Sequence, residues 1–450
     1  MEALVAIALF GGLLIGIEVL LNQRRPLDVL RGWGKLAAGA GVIVACLALG
    51  ASVAGPALRP APSVTIGSDK AGNPIEGAFQ GMVSACEQET GIVTKVNVHA
   101  PTDFQGAIDP YLRGTPDDVF TWSSGERMRS FAATGLATPV SDIWTGFGGH
   151  YSALVKAAST GGDGEQYLVP MVRYPWVVLY RRSVFERNHY AVPETLDQLV
   201  ALAVQMRADG LVPFASGDLD GRPAMGLFDI LDMRLNGYQF HEDLLAGRER
   251  WTSPRVEAVF QLWASLAPYF QAGSLERSYQ DAAGAMLDGR AGMAFLGTFA
   301  AEGATDPAVH DDLDMFPFPV LGNEWDGERA IDAPLEGYML SRSPRDLAAA
   351  KRLLYCLSSG DAQNRYVAAN PNVVAAAADA PTFEYTPFQL RIEQVLHGSR
   401  ATAQLLDRDT RPDFAGPDGM QAFLRDFVRD PGQDLSVLLV RIQAYRDGLP

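Results

Sequence analysis

The sequence predicts an α/β chain of two lobes preceded by a membrane-spanning hairpin, and three observations predict it. Two apolar runs of spanning length open the chain. Beyond them, β-rich and helix-patterned segments alternate through short loops. The chain then crosses between lobes at two places, near residues 167–180 and around 316–337, so neither lobe is one continuous segment. At 450 residues with 48% hydrophobic side chains there is material for more than one domain core. The net charge of −16 excludes a nucleic-acid binder, which needs clustered Lys and Arg against phosphate. Cys46, Cys86 and Cys356 are too few for a disulfide framework or a cysteine zinc site, and the six histidines show no metal-ligand spacing. No cofactor and no metal is expected.

Residues 3–21 form an apolar run broken only by Glu18, and 36–55 form a second, charge-free run. Each approaches the ~20 residues that cross a hydrocarbon core as a helix. The loop between them, 22–35, carries Arg24, Arg25, Arg31 and Lys35 against Asp28, which places it in the cytoplasm and everything after about residue 58 outside. Two other readings of the same residues stand beside this hairpin. One is a cleaved secretory signal ending near Ser52-Val53-Ala54; the other is a lipoprotein signal with Cys46 as the lipid-bearing residue. All three export residues 59–450. That exported part holds the acid: four basic and three acidic side chains sit in 1–58, leaving −17 on the remainder. A solvated surface accounts for it.

After the linker Arg59-Pro60-Ala61-Pro62, Val64-Thr65-Ile66 reads as a strand and residues 79–90 as a helix; 93–98 and 118–122 read as strands. Thr195 with Gln198 makes a capping box for a helix that Asp209-Gly210 stops. Ser253-Pro254 opens another, with Val256, Val259, Phe260 and Trp263 on one face, and Ser343-Pro344-Arg345-Asp346 starts a third. These stripes are core. The expected division is a first lobe of about 63–170 plus 300–335, and a second of about 175–300 plus 338–450.

Five pieces in order then resemble a known family: residues 114–122 with Arg127-Met128-Arg129 and Gly135-Leu136; Val169-Pro170 leading to Tyr174-Pro175-Trp176 and Leu179-Tyr180-Arg181; Phe185-Glu186; residues 193–197; and residues 289–293 with Gly297-Thr298-Phe299. Together they resemble family 1 of the bacterial extracellular solute-binding proteins, the sugar-capturing subunits of ABC importers, related to maltose-binding protein. Residues 331–334 and 406–414 fit a sugar-binding branch of it. The resemblance covers about 63–445 and implies a two-lobed, periplasmic-binding-protein-like clamp of type II that is not an enzyme. It implies a carbohydrate or polyol ligand and permease subunits served by a separate ATPase chain, since this sequence has no Walker motif. The uncleaved hairpin departs from the family and implies a receptor tethered to the inner membrane, its binding domain on the periplasmic side. The rival is a membrane-bound sugar sensor that signals to a partner.

A sugar presents apolar faces and a rim of hydroxyls, so rings, carboxylates, amides and Arg are the side chains to seek. Trp122 ends a strand and points either into the cleft, with Ser123 after it, or into the core. Tyr174 and Trp176 flank Pro175 at the first crossing, and Phe299 follows the Gly297-Thr298 element. Asp218, Asp220 and Arg222 lie on a Gly/Pro-rich loop that is either a ligand loop or a solvated turn. Asp332 and Glu336 bracket the second crossing. Asp407, Arg408, Asp409, Arg411 and Asp413 are either a mutually paired loop or donors of one or two ligand bonds, with Asp409 and Arg411 carried forward. Gln105 completes the set. Many acids are present, but spacing nominates no pair flanking a glycosidic bond.

Overall fold

The computed structural model describes residues 61–449 apart from Asn73. Among these no helix is long and apolar enough to cross a membrane; the expected hairpin and Cys46 lie outside the described residues. Pro62–Pro450 forms one compact unit.

The strands, in chain order, are β1 Ser63–Ser68, β2 Val93–Val98, β3 Val119–Ser123, β4 Ala137–Thr138, β5 Val169–Arg173, β6 Trp176–Arg181, β7 Val212–Ala215, β8 Ala291–Gly297, β9 Leu313–Phe316, β10 Ile331–Asp332, β11 Leu335–Ser341, β12 Val374–Ala375 and β13 Thr402–Ala403. The first lobe is built on the sheet β12-β5-β11-β3-β1-β2, with β4 also on β11. β1 pairs in parallel with β2 and β3, while β11 runs antiparallel between β3 and β5. The second lobe is built on β7-β8-β6-β9, and β10 with β13 makes a separate two-stranded ribbon.

Local sequence explains the elements. Helix Ile75–Thr90 buries Ala78, Phe79, Met82, Val83 and Cys86, one helical stripe, and stops at Gly91, whose φ of 69° suits glycine. The Thr195–Gln198 capping box is present at helix Leu196–Ala208. Ser253 caps Pro254–Leu266, whose buried face is Val256, Val259, Phe260, Trp263 and Leu266. Asp346 accepts from the Ala349 amide at the start of Leu347–Leu357. β6 and β8 read as continuous apolar runs because helices cover the sheet, and every residue of β8 is buried.

The division of the lobes differs from the expected one. β9 pairs with β6 and belongs to the second sheet, whereas β11 and β12 belong to the first. Helices Leu347–Leu357 and Gly360–Ala369 accordingly pack on Ile75–Thr90 in the first lobe. The chain returns to the second lobe only later, passing through Pro387–Gly398, which touches both β9 and β12, and ending in Met420–Arg429 and Leu435–Asp447 against Arg222–Asn236 and Pro254–Leu266. There are three crossings among the described residues, not two. The third is invisible in sequence because β12 is two residues long.

Cys86 and Cys356 form a disulfide that joins helices Ile75–Thr90 and Leu347–Leu357 across 270 residues of sequence. One bridge is not a framework, but it was not anticipated from three scattered cysteines.

Candidate ligand-binding cleft

The crossing from β5 to β6 consists of Tyr174 and Pro175 alone, so the two sheets meet at a short hinge with a cleft of about 230 Å³ beside it. The apolar wall is an aromatic corner. Phe299 packs edge-on against Tyr174 (5.7 Å between centroids), Trp176 (5.8 Å) and Tyr279 (5.3 Å).

The polar wall centres on Glu336. A register shift in β11 between Glu336 and Gly337, where a Cβ would lie 2.1 Å from the Val169 carbonyl, turns the strand at the point where the carboxylate meets the cleft. Lys70 Nζ stands 2.5 Å from one carboxylate oxygen and also 3.1 Å from Asp69. The other oxygen accepts from Tyr174 (3.1 Å) and from Arg408 (3.3 Å). Burial alone would push the Glu336 carboxyl up, but Lys70 and Arg408 outweigh it and hold the carboxyl well below the usual range. Burial alone would lower the Lys70 ammonium, but Asp69 and Glu336 outweigh it and raise it above its ordinary range. Both groups are therefore charged in neutral solution.

Contacts from the two lobes meet over this floor. Arg222, at the start of Arg222–Asn236, donates to Gln105 Oε1 at 2.6 Å from the second lobe to the first, and lies 3.7 Å from Asp407. The turn carrying Asp407 and Arg408 is fixed to the second lobe by the Leu406 amide on Asp229 and by Thr410 on the Leu245 carbonyl. It begins at Leu405, a cleft residue held at φ 94°, a conformation that non-glycine residues adopt only under constraint. A smaller cavity of about 20 Å³ adjoins the cleft between Trp122, Arg127 and Arg408. There the Arg127 guanidinium lies 5.0 Å over the Trp122 ring.

Of the residues singled out in sequence, Gln105, Tyr174, Trp176, Arg222, Phe299 and Glu336 line the cleft. Trp122 and Ser123 line the smaller cavity. Five others lie elsewhere. Asp218 is buried within the second lobe on another cavity. Asp220 is on the exposed turn, accepting from the Arg222 amide. Asp332 is fully buried beneath the cleft, and burial pushes its carboxyl up out of the ordinary range. Asp409 is turned inward onto the Gln404 amide. Arg411 pairs with Asp413 on the surface.

Sequence reasoning missed Asp69, Lys70, Tyr279, Glu302, Tyr366 and Asn370, which also line the cleft. A positional signal existed for the first pair. They follow the carboxyl end of β1, where the loops of parallel strands gather around ligands. Tyr366 and Asn370 reach the cleft because the second crossing returns the chain to the first lobe, where helix Gly360–Ala369 packs on Ile75–Thr90.

Several buried polar atoms on these walls have no hydrogen-bond partner: Nε1 of Trp122 and of Trp176, Nε of Arg127, Oδ1 of Asp407 and Nη1 of Arg408. An arrangement of rings, alternating charges and unmatched donors suits a compact molecule that offers both an apolar face and several hydroxyls.

Comparison with known proteins agrees with the fold. A solved bacterial solute receptor, AcbH, whose structure is described with an exclusive preference for β-D-galactopyranose, superposes with a TM-score of 0.82 at 35% identity over 86% of this chain and 98% of that one. A chitin oligosaccharide binding protein superposes at 0.74 with 20% identity, over 85% of this chain and 98% of its own, and shares the fold. An uncharacterised ABC transporter extracellular-binding protein of Pyrococcus horikoshii is 23% identical over 62% of each chain. The α-glucosides-binding periplasmic protein AglE of Rhizobium meliloti is 24% identical over 41% of this chain and 43% of its own. The alignments thus span less than two thirds of these curated relatives. The model of the family described as bacterial extracellular solute-binding protein matches residues 81–387, well over half of the sequence, and this chain belongs to that family.

Proposed function

We propose that this chain captures a carbohydrate between its two lobes and delivers it to the permease of an ABC importer. The observation that carries the reading is the set of unmatched polar atoms on residues of the cleft walls. Each buried polar group left without a partner costs about 1–3 kcal/mol. Closure over an empty cleft is therefore penalised, and a hydroxyl-rich ligand between the lobes removes the penalty, so the sugar selects the closed form. The solute receptor at 35% identity favours a compact sugar as the first ligand to try. Several relatives are transporter binding proteins, which favours delivery over signalling. Nothing in the cleft is read as catalytic machinery. The Cys86–Cys356 bridge suits an oxidising, extracytoplasmic compartment.

The test is thermal unfolding of the purified chain against galactose, other monosaccharides, disaccharides and polyols. A ligand at a hundred times its dissociation constant adds about 2.7 kcal/mol to the folded state. One sugar raising the midpoint is the expected result; no response across the panel from a folded protein overturns the reading. We further propose that residues 1–58 tether the receptor beside its permease, raising its effective concentration there. Deleting them is expected to leave sugar affinity unchanged and to impair uptake; undiminished uptake at equal receptor levels would refute the tether.

A further inference from the structure

A second cavity, of about 340 Å³, lies within the second lobe behind the cleft, bounded by the end of β7, residues 267–274 and the end of helix Met420–Arg429. Only Pro223 belongs to both cavities. Trp263, Phe270, Phe295 and Phe427 contribute to its walls. The rings are braced: Trp263 and Phe427 lie 5.0 Å apart, and Phe270 stacks on Phe214 at 5.1 Å. The loop that enters it is rigidly seated, since a Cβ at Gly217 would come within 2.2 Å of the Ser278 carbonyl.

The polar side of this cavity accepts and does not donate charge. Asp218 lines it while only 4% exposed. The donors that meet its carboxylate are all neutral: Ser216 Oγ at 3.1 Å, the Ala224 amide and the Ser274 hydroxyl. Among the described residues no Lys, Arg or His forms an ion pair with it. Arg277, in the neighbouring loop, instead gives its guanidinium to the carbonyls of Ser216 and Ala272. Gln271, also on the cavity wall, has a buried amide oxygen without a donor. Burial pushes the Asp218 carboxyl up to about 6, so in neutral solution it is still mostly ionised. An enclosed carboxylate without a counter-cation, beside aromatic rings, has one chemically obvious complement. Ring faces attract cations, the more so when water is excluded.

We propose that this cavity is a second ligand site that takes a small organic cation, an amine or quaternary ammonium, with its charge against Asp218 and its alkyl shell against Trp263 and Phe427. The site is independent of the sugar cleft, so its test is also independent of what the cleft binds.

Choline and its uncharged isostere 3,3-dimethylbutan-1-ol serve as probes, titrated into the purified full chain by calorimetry and by tryptophan fluorescence. Saturable choline binding at least 10-fold tighter than that of the isostere is expected. In Asp218→Asn, choline binding is expected to weaken about 10-fold or more, with thermal unfolding confirming a folded variant. Equal binding of the two probes, or no saturable binding of choline up to about ten millimolar, overturns the proposal, as does undiminished choline binding by a folded Asp218→Asn. Where that variant does not fold, Phe427→Leu, which alters a wall of this cavity and none of the cleft, takes its place, and undiminished choline binding by the folded variant overturns the proposal.

Discussion

Breaking the Cys86–Cys356 bridge has an effect whose size follows from its place in the chain. The two cysteines are 270 residues apart, so the bridge closes one of the longest loops available to this unit. Loop-closure entropy for such a span gives about 5.6 kcal/mol as an upper figure, and measured losses for native bridges run about 2–5 kcal/mol. For about 390 ordered residues at ~2.1 cal/mol/K each, the entropy of unfolding is about 0.8 kcal/mol/K, so the midpoint should fall by about 2–6 °C. The perturbation is Cys86→Ala with Cys356→Ala, paired with reduction of the unaltered chain to separate the bridge from the loss of buried sulfur. Scanning calorimetry reads the midpoint, and mass spectrometry after alkylation counts free thiols. Because both helices pack together in the first lobe, the bridge does not span the hinge, and sugar affinity at 25 °C should be unchanged. An unaltered midpoint in both the reduced protein and the variant, or alkylation of Cys86 and Cys356 as free thiols in the native protein, would refute this reasoning.

Two further outcomes follow from the charged groups. Glu336→Gln removes the carboxylate that Lys70, Tyr174 and Arg408 share; breaking such a buried pair costs about 3–5 kcal/mol, lessened here because Lys70 keeps Asp69. Urea unfolding should show a clear loss of stability, and calorimetry at least a 10-fold weaker sugar. Asp118, on the loop entering β3, is held down at about 2: burial would raise it, but bonds from Arg345 and from the Thr65 amide prevail. Its folded pKa is below the ordinary 3.8, so the folded state binds fewer protons; the stabilisation is present above about pH 4 and lost as pH falls toward 2. With Arg345 largely exposed and its charge screened, about 1–2 kcal/mol is expected. Asp118→Asn should lose that amount in urea unfolding at pH 7 and progressively less below pH 4.

What was legible in sequence was local. The capping box at Thr195, the Ser253-Pro254 start and the buried stripe through Val256 and Trp263 all depend on neighbours within one or two turns, and they stand where expected. What was not legible depends on pairings made at long range. The antiparallel place of β11 between β3 and β5, the two-residue β12 and the Cys86–Cys356 bridge have no local signature. The same divide runs through the site. Tyr174, Trp176 and Glu336 line the cleft because crossings mark hinges. Asp332 was singled out on the same ground as Glu336, and Asp409 as one of a run of charges; both are buried and neither lines the cleft. In the fold Asp332 is sealed in the core of the second lobe, where His241 pairs with Asp232 at 2.9 Å and the Leu406 amide holds Asp229.

Gly125 shows how closely closure is matched to the turn at Arg408. Its φ of 110° is one that side-chain-bearing residues avoid, and a Cβ there would stand 2.4 Å from the Arg408 carbonyl. This is where a first-lobe loop, between β3 and helix Glu126–Ala133, meets the second-lobe turn that also delivers Asp407 to the cleft. Two effects of Gly125→Ala must be separated. Backbone strain acts in any state that keeps this φ, at about 1–3 kcal/mol. The clash with Arg408 acts only while the lobes are closed. On the proposed mechanism sugar binds the closed form, so affinity falls by the second effect, whereas stability without sugar falls by the first alone. The expected signature is a fall in sugar affinity larger than the loss of unfolding free energy in sugar-free buffer implies, with scattering showing a more extended shape at saturating sugar concentrations for the wild type. Unchanged affinity would mean that the turn at Arg408 moves with the first lobe, and that the hinge lies on the other side of it.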